Sequence, residues 1–259
     1  MHPPTAAAER WAAELEAWSI PEEILARAPE SPWGFPAHLF AAEHAPQGAL
    51  HRIARAALGD GGSVLDIGCG GGAASIPLVP PASSLTGIDA LPDMLEAYAR
   101  EAGAAGVPHS EVLGHWPDVA RQVGPCDVIV CRNVVYNVAD IVPFVAELNR
   151  HAVKKVVVEL AEHHPSVPLA PLWMRFWGLP RPDGPTAELF AEVLRELEIH
   201  PEIEREVRPS WKARSDPAEH LAFMRRRLCL DPSRDGELAE ALAGEGDETT
   251  TVVLHWLPY

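Results

Sequence analysis

The sequence lacks most features that would take a chain out of an aqueous, reducing compartment. It has no apolar run of the roughly 18 residues that a membrane-spanning helix needs. Its first residues, MHPPTAAAERWAAELEAW, place Glu9, Glu14 and Glu16 where a signal peptide requires an unbroken apolar stretch. Cysteine is scarce. Cys69, Cys126, Cys131 and Cys229 form no CxxC pair, which argues against a disulfide framework or a zinc site and for free thiols in the cytoplasm. Positive charge is also in short supply, with 21 bases against 37 acids, a formal charge of -16 and a pI near 5.1. Such a balance repels polyanions and disfavours nucleic acid as the main partner. What the chain has in quantity is apolar residues, at 47%. That excludes disorder as its main state.

The 259 residues divide in texture near residue 60. The first 59 read as a helical extension or cap. Trp11, Leu15 and Trp18 stand at helical spacing, SPWGFP breaks the pattern, and a second helix is expected from about Pro36 to Leu58 with a break near Pro46. From residue 60 onward come short continuous apolar runs: GSVLDI (62–67), SLTGID (84–89), CDVIVC (126–131) and KKVVVEL (154–160), with a weaker strand near 110–114. Continuous rather than alternating apolar character fits strands buried on both faces. A helical segment is expected after each of the four main strands, with Pro92, Asp140 and Thr186 at helix starts. This alternation predicts an α/β domain over 60–259, built on a mostly parallel sheet with helices on both faces. Inserts are expected near 165–185 and 210–245, and IEREVRP (203–209) with TTTVVLHW (249–256) as a terminal antiparallel pair.

Ligands of such sheets bind beyond the carboxyl ends of the strands. The first loop there is Asp66-Ile67-Gly68-Cys69-Gly70-Gly71-Gly72, and Asp89 ends the next strand. Glycines let a backbone turn tightly and approach a ligand, and a helix starting near Gly71 to Ser75 would offer free N–H groups. Gly68-x-Gly70-x-x-Ala73 satisfies a loose dinucleotide pattern, so a nicotinamide-dependent oxidoreductase is one reading. Asp66 argues against it, because a carboxylate beside a pyrophosphate is repelled. Beside the ammonium group of an amino-acid moiety it is favourable, and S-adenosylmethionine carries one together with a ribose.

At these residues the sequence resembles the class I S-adenosylmethionine-dependent methyltransferases. VLDIGCGGG (64–72), LTGIDALPDML (85–95) and CDVIVCRNVVYNV (126–138) look like three motifs of that family. The resemblance implies a Rossmann-like seven-stranded sheet of order 3-2-1-4-5-7-6 with the last strand antiparallel. It implies that S-adenosylmethionine lies on the segment Asp66, Ile67, Gly68, Cys69 and Gly70, with Asp66 serving the ammonium. Asp89 would hold the ribose hydroxyls, with Ala90 and Met94 near the adenine. His115 and Trp116 stand where the family often has an acid for the adenine amino group. Cys131, Arg132 and Asn133 would line the cofactor and lead to the methyl group. The function implied is methyl transfer to a small molecule. A protein that binds the cofactor without turnover is a further alternative, since no motif forces a catalytic base.

Methyl transfer from a sulfonium is an in-line displacement, in which orientation supplies roughly 7–11 kcal/mol in favourable cases. Asn133-Val134-Val135-Tyr136 has the outer residues of an amino-methylating Asn-Pro-Pro-Tyr motif without its prolines. Tyr136 is a candidate for orienting substrate or a packing aromatic. Glu162-His163-His164 follows the fifth strand, and either histidine is a candidate base for O-methylation or a solvated loop residue. Trp33, Phe35 and His38 before the sheet, with Trp173 and Trp177 after the fifth strand, suit a lid or an apolar substrate pocket. They equally suit packing of the extension onto the core. No metal-ligand set is evident, and a monomer and a homodimer are both compatible with the sequence. Seven of the 21 bases lie between Arg205 and Arg227. They read as salt bridges to the acidic body or as a patch that recognises an acidic molecule.

Overall fold

The computed structural model describes residues 5–33, 48–210, 216–243, 246 and 248–259. Seven strands form one sheet: β1 (Gly62–Ile67), β2 (Ala82–Asp89), β3 (His109–Leu113), β4 (Cys126–Arg132), β5 (Ala152–Ala161), β6 (Glu202–Pro209) and β7 (Glu248–Trp256). Their order is β3-β2-β1-β4-β5-β7-β6, as the resemblance implies. The first five strands run parallel, and β7 is antiparallel to both its neighbours. Four of the apolar runs occupy β1, β2, β4 and β5, and their side chains are buried on both faces of the sheet.

Helices cover both faces. On one, α3 (Ala49–Leu58) and α4 (Pro92–Ala104) pack Leu50, Leu58, Leu95 and Tyr98 against Val64, Val128, Val130 and Val157. On the other, α1 (Ala6–Glu16), α5 (Ile141–His151) and α7 (Ala187–Glu196) cover Leu65, Ile67, Ile129 and Cys131. Trp11 of α1 is wholly buried in this second layer, where it stacks on Tyr136 at 5.4 Å and donates from Nε1 to the Val138 carbonyl at 2.9 Å. The N-terminal extension is thus joined to the core through α1. The expected helix from Pro36 begins, within the described residues, as α3; its earlier part lies outside them.

Two inserts and a short N-terminal helix build a third, smaller core. Ile24 of α2 (Glu22–Leu25), Leu172, Trp173 and Phe176 of α6 (Ala170–Trp177), the segment Leu228–Leu230 after α8 (Pro217–Arg227), and Leu238 and Leu242 of α9 (Asp235–Leu242) bury one another. The inserts follow β5 and β6. These strands are parallel, because each is antiparallel to β7. Both inserts therefore leave the carboxyl edge of the sheet, where α/β proteins bind their ligands.

Two local expectations are corrected. No α-helix follows β1; only a single 3-10 turn, Ile76–Leu78, leads to β2. Pro77, Pro80 and Pro81 remove donors and block helix propagation. The N–H groups of Ser75 and Ile76 are taken by the Gly72 carbonyl, so no helix N-terminus is presented to a ligand there. Asp140 does not cap α5 through its side chain, whereas Thr186 accepts from Leu189 N and Asp216 from Ala218 N and Glu219 N.

Candidate active site

Parallel register brings the two acids of the glycine loop to one end of the sheet. Asp66 is paired with Gly87 and Ile67 with Ile88, so Asp89 lies one residue beyond. Strand alternation turns Asp66 with Val64 toward the α3–α4 layer and Ile67 with Leu65 toward the opposite one. Asp66 is only 1% exposed. Its Oδ2 accepts from Ser75 Oγ at 2.6 Å, and its Oδ1 is buried without a partner. Burial pushes its carboxyl up to about 7, against the opposing Ser75 hydrogen bond.

Asp89 organises the turn. Its Oδ2 accepts from Gly70 N at 2.9 Å and its Oδ1 from Leu91 N at 3.0 Å. An ionised carboxylate has about four acceptor positions, so two remain for a ligand's hydroxyls. Gly68 has φ +66°, and a Cβ there would stand 2.4 Å from Val134 Cγ2. Glycine is required at this position both by the left-handed backbone and by the close approach of the loop after β4. Asn133 in that loop has φ +58° and is exposed, with its N–H bonded to the Glu159 carbonyl at 2.8 Å. Asn tolerates the left-handed region better than most residues, and such conformations concentrate at functional sites.

Arg132 ends β4 just before the same loop. Its Nε lies 2.6 Å from Glu159 Oε1 as an ion pair, and Arg208 Nη1 donates to the same oxygen at 3.1 Å. Glu159 is buried, so two guanidinium groups neutralise one carboxylate beneath the site. Much of the basic patch is accounted for in this way. Arg208 is paired here, Arg205 with Glu162 and Glu188, and Arg225 with Asp235 and Glu30.

The structure does not bring every expected residue into the groove. Ile67, Cys69 and Cys131 bury their side chains in the two cores, so only their backbone can face a ligand. Trp116 is buried on the Phe144 carbonyl and edge-on to His151, which makes it core rather than adenine contact. His115 beside it is exposed, Ala90 is half-buried and Met94 is buried. Tyr136 is 6% exposed, and its hydroxyl donates to the Ala161 carbonyl at 2.8 Å, so the phenol is committed to packing α1 against β5. Trp173 and Trp177 belong to the insert core, Trp177 donating to the Leu228 carbonyl at 2.7 Å, whereas Trp33 is exposed. Phe35 and His38 lie outside the described residues.

The two histidines separate by environment. His164 lies between Trp18, stacked at 4.9 Å, and Tyr136, edge-on at 5.3 Å. Burial, helped by the nearby charge of Arg227, pushes its pKa down to about 4. Its Nδ1 accepts from Ser166 N at 3.2 Å, which assigns the proton of the neutral ring to Nε2 and makes it a donor. His163 is exposed, and its Nδ1 faces the Asp183 carbonyl at 3.3 Å. A carbonyl only accepts, so Nδ1 carries a proton, and in the neutral form of this ring Nε2 is the acceptor. Residue spacing gave no warning of Trp18 or Arg181 at this edge, nor of Ser75 as the partner of Asp66.

Comparison with known proteins agrees with this layout. A family model described as a methyltransferase domain matches residues 41–227. The chain is 32% identical over 149 residues to the ubiquinone biosynthesis O-methyltransferase of Caulobacter sp. (strain K31), covering 50% of this chain and 58% of that protein. It is 36% identical over 84 residues to the protein of the same name from Methylobacterium nodulans, covering 32% of this chain and 33% of that one. The matches thus span from about a third to under two thirds of these relatives. Among solved structures, a putative methyltransferase from Bacillus halodurans C-125 superposes with a TM-score of 0.55 at 14% identity, over 81% of this chain and 96% of that one. The magnesium protoporphyrin IX methyltransferase of Synechocystis PCC 6803, solved with bound SAH, gives 0.51 at 14% identity, over 81% of this chain and 82% of that one. With a family match over most of its length and the strand order found here, the chain belongs to the class I S-adenosylmethionine-dependent methyltransferases.

Proposed function

We propose that this protein transfers the methyl group of S-adenosylmethionine to an oxygen of a small molecule. The observation that carries the reading is the pair of acids at the sheet's carboxyl edge. Asp66 keeps a buried oxygen without a partner, and Asp89 has capacity beyond the two backbone donors it already holds. These residues fit the cofactor's ammonium and ribose diol. Gly68 lets the loop after β4 pack close, and Asn133 on that loop leaves an exposed polar edge for a ligand. His115, exposed where Trp116 is buried, is the preferred candidate for the adenine side. When bound, the cofactor supplies an electrophilic methyl carbon on a sulfonium.

The chain's own part is orientation, exclusion of water and the handling of one proton. His163, with a free Nε2, is the proposed acceptor of the substrate hydroxyl's proton. His164 acts as a neutral donor that positions the acceptor. An oxygen acceptor is supported by the names of the curated relatives, and by the lack of prolines between Asn133 and Tyr136. The four cysteines are free and buried, which supports a reducing compartment such as the cytoplasm. No described helix is long and apolar enough to cross a membrane.

Thermal shifts with S-adenosylmethionine, S-adenosylhomocysteine, NAD and NADP test the cofactor. Stabilisation by the first pair is expected, and stabilisation by the second pair alone would overturn the reading. Methylation of a panel of hydroxylated acceptors tests turnover.

A further inference from the structure

Arg181 lies in the segment between α6 and α7, at the carboxyl edge beyond β5, and its guanidinium is clamped between two indoles. Its Cζ lies 4.3 Å from the ring centroid of Trp173 and 5.8 Å from that of Trp18. One nitrogen is anchored, because Nη1 donates to the Ser19 carbonyl at 2.8 Å and reaches the Ala17 carbonyl at 3.4 Å. The other edge is not. Nε and Nη2 are both buried and have no hydrogen-bond partner. No described carboxylate lies within ion-pair distance of Arg181.

The Nε–Nη2 edge is the one on which arginine receives a carboxylate side-on, through two parallel hydrogen bonds. Stacking on Trp173 and the anchored Nη1 fix the plane of that fork before any ligand arrives, which lowers the ordering cost of binding. The surroundings continue toward the proposed chemistry. Trp18 stacks on His164, and His164 follows β5 beside His163. Arg227 adds positive potential next to His164, and both Arg181 and Arg227 act on the Cys229 thiol. Positive charge is concentrated here in a chain whose formal charge is -16.

We propose that Arg181, its plane held by Trp18 and Trp173, is the anchor for the carboxylate of the acceptor, received on its Nε–Nη2 edge with the acceptor's hydroxyl directed toward the histidines. This rests on the methyltransferase reading for its purpose but not for its test.

The test is calorimetry on the full chain, with and without S-adenosylhomocysteine, titrating hydroxybenzoates and their matching carboxamides. The wild type is expected to bind the acids at least about tenfold more tightly than the amides, since the amide cannot accept both hydrogen bonds of the fork. In Arg181→Gln that ratio is expected to fall to about twofold or less. Arg181→Lys keeps the charge but not the fork and should retain only part of it. Equal affinity for acid and amide, no binding of either, or an undiminished ratio in Arg181→Gln would overturn the proposal. If Arg181→Gln does not fold, a wild-type ratio in Arg181→Lys does so. Failure of S-adenosylhomocysteine to bind would overturn the cofactor reading instead, and leaves the acid-to-amide ratio to judge Arg181.

Discussion

Ser75 holds one oxygen of Asp66 and leaves the other with nothing: Ser75 Oγ donates to Oδ2 at 2.6 Å, while Oδ1 is buried without a partner. A structural carboxylate would normally have both oxygens satisfied. This half-satisfied acid fits the proposed role of Asp66 toward the cofactor's ammonium better than the role of a loop brace.

Burial raises the Asp66 carboxyl to about 7 from an ordinary value near 3.8. The folded chain therefore holds this proton where the unfolded chain has lost it. Its contribution to stability is present at low pH and declines as pH rises from about 4 to about 7. Urea unfolding of the ligand-free protein should show Asp66→Asn gaining on the wild type across that window. Ser75→Ala is expected to cost about 1–3 kcal/mol, and more at pH 8 than at pH 5, because the charged form loses its one donor. A pH-independent difference between Asp66→Asn and wild type would refute the assignment.

His164 should show the opposite slope. Its pKa falls from 6.5 to about 4, chiefly through burial. The unfolded chain takes up this proton first, so the contribution is present above pH 6.5 and is lost as pH falls toward 4. His164→Gln is expected to flatten that loss in a plot of melting temperature against pH. In turnover, His163→Asn should lower kcat while leaving cofactor affinity unchanged. An equal loss of cofactor affinity would show that His163 acts on binding.

Asp89→Ala should abolish most of the thermal shift given by S-adenosylhomocysteine. It also strips acceptors from Gly70 N and Leu91 N, at a cost of about 1–3 kcal/mol in the ligand-free protein. Asp89→Asn keeps one acceptor oxygen and is expected to recover part of the stability but little of the shift. A wild-type shift in either variant would remove Asp89 from the ribose site.

Gly68→Ala meets two obstacles, the backbone at φ +66° and Val134 Cγ2 at 2.4 Å. The left-handed conformation alone costs roughly 1–2 kcal/mol for a residue with a Cβ. The double variant Gly68→Ala/Val134→Ala should recover the steric part and not the conformational part. Full recovery of chemical stability would mean that the backbone at Gly68 is unstrained in the variant.

The sequence by itself determined the α/β class, because continuous apolar runs such as GSVLDI and CDVIVC can be buried only in a sheet covered on both faces. It also marked Asp66, Gly68 and Asp89 as candidates, since strand ends and a glycine-rich turn are local features. Thr186 was legible as a helix cap for the same reason. At two aromatic positions it misled for a non-local reason. Trp116 and Tyr136 stand at motif positions, but the cores under α5 and α1 had room for them and the groove did not claim them. The helix expected after β1 is written over by its own prolines. Only the tertiary structure decided which ring nitrogen of each histidine donates, because the Ser166 N–H and the Asp183 carbonyl set those roles. It alone brought Ser75 to Asp66 and clamped Arg181 between Trp18 and Trp173. Ser75 and Asp66 are separated by a loop, and Trp18 lies far from Arg181 and Trp173 along the chain, so packing, not spacing, joins them.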